Sequence, residues 1–96
     1  MKLKSVKPSH IPDKKYDAVF ETDGREKTVP FGAKGMDDYT RTGDKDQRRR
    51  YIERHGRGRE NWSDPTSPGA LSRYILWGSS VSLARNIAEF KSKFNL

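Results

Sequence analysis

The residue types that could do covalent chemistry are few. Nucleophilic catalysis needs a hydroxyl or thiol beside a base, and this chain has no cysteine and only two imidazoles, His10 and His55. His10 sits between prolines near the N-terminus. His55 follows Tyr51 by one helical turn beside Arg54, a setting that suits a solvated or partner-facing role better than catalysis. The glycine-rich runs are poor phosphate cradles. Gly32-Ala33-Lys34-Gly35 lacks the Gly-Lys-Ser/Thr ending of a P-loop. Gly56-Arg57-Gly58-Arg59 lacks the third glycine and the preceding strand of a dinucleotide fingerprint. Asp17, Glu26 and Lys27 could be drawn as a metal-dependent nuclease, but a hairpin over these residues sets Asp17 opposite Pro30, far from Glu26, and turns Lys27 to the other face. No catalytic residue, cofactor, metal or small-molecule substrate is expected, and the protein is read as a non-enzyme.

Recognition chemistry is better represented. Within residues 45–59, Lys45, Arg48, Arg49, Arg50, Arg54, Arg57 and Arg59 face only Asp46 and Glu53, so most of the formal +7 charge lies there. Three consecutive arginines cannot form one stripe at roughly 100° per residue, but Arg50, Arg54 and Arg57 share a helical face. Planar guanidinium forks match the paired oxygens of phosphates and carboxylates. The competing reading is a solvated face balanced by Asp46 and Glu53. Trp62 lies in a polar loop, where its indole must pack on its own core or on another molecule. Contact with a partner or with phosphates is expected at Arg48, Arg49, Arg50, Arg54, Arg57, Arg59 and Trp62, and at Lys2, Lys4 and Lys7 of a basic N-terminus.

The elements that must position these residues are short. Ninety-six residues make one small domain, and only seventeen are Leu, Ile, Val or Phe. A chain of this size buries about 60–65% of its unfolded surface, so its core should be thin and partners should cover part of it. With no cysteine there is no disulfide framework, and residence inside a cell is the simpler expectation. No apolar run has the length of a signal peptide or of a membrane span.

Residues 1–14 carry Pro8 and Pro12 and no helical period, and are read as an extended basic arm; residues 15–96 form a single α+β domain. Asp23-Gly24 between two alternating runs predicts a hairpin in which paired residue numbers sum to 47, so that Ala18 faces Val29 and Tyr16 faces Phe31. Its other face would carry Asp17, Glu21, Glu26 and Thr28, with Val19 out of pattern, and would repel phosphates. Three short helices should pack on the apolar face. The first spans Lys45–His55 after an Asp44/Gln47 capping pair. The second starts with Ser67-Pro68 and stops at Gly78. The third starts near Ser80, with Leu83, Ile87, Phe90 and Phe94 along one face.

Three stretches, KTVPFGAKGMDDYT (27–40), RRYIERHG (49–56) and ENWSDPTSPGALSRYILWG (60–78), resemble a family of short basic proteins encoded by large double-stranded DNA viruses, especially those of algae. The likeness covers about residues 15–95 and carries no activity with it. It implies a viral product made in the host cytoplasm and placed in the virion. The first expectation is therefore a minor capsid component that cements major and minor capsid proteins through its basic and aromatic surfaces. The alternative is a nucleic-acid-binding module contacting phosphates with the arginine-rich segment 45–59.

Overall fold

A computed structural model describes residues 1–57 and 61–96. Three antiparallel strands, β1 (Lys2–Pro8), β2 (Lys14–Thr22) and β3 (Arg25–Ala33), form one sheet in the order β1-β2-β3. The β2–β3 register is the one expected, with Ala18 opposite Val29 and Tyr16 opposite Phe31. Asp23 and Gly24 both have positive φ, 51° and 79°, as a two-residue turn that matches strand twist requires.

The N-terminal segment corrects the expected arm and its boundary at residue 14. It is extended, but it is an edge strand paired with β2. Leu3 and Val6 are three residues apart, which breaks the alternation of an ordinary strand, and a β-bulge between Leu3 and Ser5 absorbs the extra residue. Leu3 thereby lies opposite Phe20 and Val6 opposite Ala18, and Leu3 is buried in the core. The lysines have a local purpose too. In the strand register Lys2 stands opposite Glu21 and Lys7 opposite Asp17, and the Lys4 ammonium bridges Glu21 and Glu26 across the sheet. The outer face is thus balanced in charge rather than acidic, and Val19 is buried within it.

The other face of the sheet carries the helices, as expected of an α+β fold. A single turn, α1 (Tyr39–Thr42), precedes α2 (Lys45–His55), whose bounds match the expected helix. The Asp44 carboxylate accepts from the Asp46 and Gln47 amides, while the Asp44 amide donates to Thr42 Oγ1, itself bonded to Gln47. Helix α3 (Pro68–Leu71), capped by Ser67 Oγ on the Ala70 amide, runs into a π-helical turn over Ser72–Leu76. Helix α4 (Leu83–Phe94) closes the domain. Leu71, Ile75, Phe90, Phe20 and Phe31 pack in one core that includes Tyr51 and Trp77.

Asn86, fully buried, ties α4 to the π turn. Its Nδ2 donates to the Ile75 and Ser80 carbonyls at 2.9 and 2.7 Å, and its Oδ1 accepts from the Ser80 amide at 3.1 Å. Gly78 is required beside it, because a Cβ there would lie 2.4 Å from the Tyr74 carbonyl and 2.7 Å from Asn86 Cγ.

Candidate functional site

The expected contact residues divide by what α2 does with them. Arg48 points inward. Its Nε donates to the Trp77 and Gly78 carbonyls at 3.1 and 2.8 Å, and its guanidinium lies over the Tyr39 ring, so it caps the π turn. Arg49 is exposed and sits between Asp46 and Glu53, 4.0 and 3.3 Å away. Arg50, Arg54 and Arg57 are exposed, and none is bonded to an acidic side chain among the described residues. Arg59 lies outside the described residues. Among the described arginines of the segment, Arg50, Arg54 and Arg57 are therefore the open ones, the first two one turn apart on α2 and Arg57 in the turn after it, so the expected three-residue helical face is shortened to two.

Trp62 packs on its own fold. A Cβ at Gly56 would come within 3.3 Å of its ring, its edge meets Tyr74 with centroids 6.5 Å apart, and the Arg73 guanidinium lies over it. Arg73 in turn donates to the Trp77 carbonyl, and burial, followed by the charge of Arg48, holds its pKa below the ordinary arginine range. Lys2, Lys4 and Lys7 belong to the sheet's outer face and are not brought near α2. Glu26 and Glu21 hold the Lys4 ammonium above its ordinary pKa.

Beside the arginine stripe runs an open trough of about 700 Å3, which the residues could not reveal in sequence order. Gln47, Arg50, Tyr51, Arg54 and His55, one stripe of α2, line this trough and an adjoining hollow of about 410 Å3. Met36, Asp37, Arg54 and Trp77 border both, so the two are continuous, with residues 35–37 forming the opposite lip. The floor is aromatic: His55, Tyr51 and Trp77 form a stacked column with centroids 4.2 and 4.3 Å apart. At the far wall the Lys15 ammonium pairs with Asp38, whose carboxylate also accepts from the Thr40 amide and hydroxyl and starts α1. The Lys15 side chain is 11% exposed and Asp38 2%, so this is a buried ion pair set in the wall of the trough.

The other polar cluster lies under the outer face. Asp17 is 1% exposed, a correction to its expected place on an open surface. It accepts from the Ser9 hydroxyl at 2.6 Å, from the His10 amide at 3.0 Å and from the His10 ring. Burial opposes ionisation, but the His10 ring, the Ser9 hydroxyl and the His10 amide outweigh it and lower the Asp17 carboxyl to about 2. The Ser9 proton goes to the carboxylate and not to the imidazole, so the order differs from a nucleophilic triad. Asp17 also stands opposite Pro30 and away from Glu26, as the register implied. Among the described residues no group of His, Asp and Glu is arranged to hold a metal ion, and no helix is long and apolar enough to cross a membrane.

No curated protein and no solved structure matches the chain. One family model does, over residues 4–55, from the bulge of β1 to the end of α2, taking in Lys15, Asp38 and the Arg50–Arg54 part of the stripe. That span is more than half the chain, and the protein belongs to this family, described as a family of unknown function (DUF5754).

Proposed function

We propose that the protein binds nucleic acid through Arg50, Arg54 and Arg57. One observation carries the reading: these three guanidiniums stand exposed with no acidic partner among the described residues, Arg50 and Arg54 one turn apart on α2 and Arg57 in the turn that follows it, while Arg48 and Arg49 beside them are engaged. The balanced outer face adds support, because the lysines of β1 answer its carboxylates and leave the surplus charge on the helix side. Neutralised phosphates release counterions, so binding should weaken steeply as salt rises. Fluorescence anisotropy with a labelled strand and its duplex, from low to physiological salt, tests this. Absence of binding to either at low salt would refute it.

Cementing of capsid proteins in a virion is kept as the second reading. The resemblance to short basic viral proteins and the thin core support it, the free arm does not because β1 is in the sheet, and the exposure of Met36 and Val81 adds apolar side chains that a protein partner would cover. Mass spectrometry of purified particles tests it; absence of this polypeptide removes it.

A further inference from the structure

We infer that the trough beside α2 takes an unpaired base, so that the protein prefers single-stranded to duplex nucleic acid; this rests on the nucleic-acid reading above and names its substrate class. The trough has the volume of a small-ligand site, about 700 Å3, within the range of roughly 300–1,000 Å3 usual for such pockets. Its position matters more than its size. Arg54 borders both the trough and the adjoining hollow, and Arg50, one helical turn away, lines that hollow, so a backbone held by these guanidiniums runs past the opening.

What lies inside suits a base rather than a second phosphate. The floor is the His55–Tyr51–Trp77 column, continued by Leu76; Tyr51 has a ring on each of its faces, so a base packs against the side of the column rather than on Tyr51, a contact that has little regard to sequence. Apart from Arg54 on the rim, the lining carries Lys14 and Lys15 against Asp37 and Asp38, two charges of each sign, so the interior offers no net attraction for another anion. Lys15 brings three donors and spends one on Asp38, with no further bond among the described residues. The remaining N–H groups match the carbonyl oxygens that thymine, uracil and guanine carry. A duplex keeps its bases stacked and paired, and could offer the rim only phosphates. A single strand can turn a base away from its backbone and into the trough.

The test uses the whole chain and three probes of equal length: an oligothymidylate, the corresponding abasic strand, and a blunt duplex. Anisotropy at one fixed low salt gives the affinities, and tryptophan emission, repeated in Trp62→Phe, reports on Trp77. The oligothymidylate should bind at least about tenfold tighter than the abasic strand, the size of effect that one base packed against aromatic rings supplies, and should quench Trp77 emission. Equal binding of all three probes with unchanged emission would overturn the inference and leave phosphate contact by α2 standing. Failure of every probe to bind would instead refute the nucleic-acid reading on which it rests. Should Trp62→Phe unfold, the affinity ratio in the unaltered protein decides alone.

Discussion

Exchanging Arg54 for glutamine and, separately, Arg49 for glutamine removes the same unit of charge from neighbouring positions of α2. The structure gives them different consequences. Arg49 already faces Asp46 and Glu53, whereas Arg54 has no acidic partner among the described residues and stands on the trough rim. On a single strand each phosphate contact adds about 0.7 to the slope of log affinity against log salt. Losing one contact therefore costs about fivefold at about 0.1 M salt, and the Arg50→Gln/Arg54→Gln pair about 25-fold, with a slope shallower by about 1.4. Arg49→Gln should weaken binding by less than about threefold and change the slope by less than about 0.3. Anisotropy titrations over a salt series read both quantities, and exposed substitutions of this kind leave stability within about 0.5 kcal/mol, so folding does not confound them. If Arg49→Gln matched Arg54→Gln in affinity and slope, binding would follow net charge and the stripe would have no special standing.

Other expectations concern the scaffold. Leu3→Ala should lower stability in urea unfolding by about 2–4 kcal/mol, because Leu3 is buried opposite Phe20, whereas a free arm would show no change. Asn86→Ala removes three hydrogen bonds and strands the buried Ile75 carbonyl together with the half-buried Ser80 amide and carbonyl, which should cost about 3 kcal/mol. At about 4–8 °C per kcal/mol for a domain of this size, its thermal midpoint should fall by about 12–24 °C, and a fall of only a degree or two would contradict the role given to Asn86. Asp17 has a folded pKa of about 2, below its ordinary value, so its contribution is complete above about pH 4 and is lost as pH falls through that interval. Urea midpoints measured from neutral pH downward should drop less steeply in Asp17→Asn than in the unaltered protein; coincident slopes would show that the Ser9–His10 shell does not hold that proton off.

The hairpin was legible because its information is local: Asp23-Gly24 sets the turn, and alternation sets the register. The bounds of α2 and the Ser67-Pro68 start of α3 were readable for the same reason, as caps act within one turn. What escaped depends on contacts between distant segments. The bulge at Lys4 disguised β1 by spacing Leu3 and Val6 at three, and the value of its lysines lay in carboxylates up to twenty-two residues away. Asn86 did leave a signal, a polar residue on the stripe defined by Leu83 and Phe90, yet its partners at Ile75 and Ser80 come from the π turn and the loop after it. For the site, the arginine cluster was visible but its division into inward, balanced and open members was not, since Arg48 is claimed by carbonyls twenty-nine and thirty residues on. The trough draws on β2, the 35–37 loop, α2 and the π turn, and no window of sequence contains it.

The lysines of β1, set among the carboxylates of the sheet with Lys4 salt-bridged to two of them, leave the molecule electrically lopsided: a quiet back and a positive front. In the field of a polyanion such a body turns as it approaches, α2 leading, so that fewer encounters are wasted on wrong orientations. The same asymmetry would leave the sheet pointing outward after landing, a plain surface on which a second protein could settle without competing for the first one's grip.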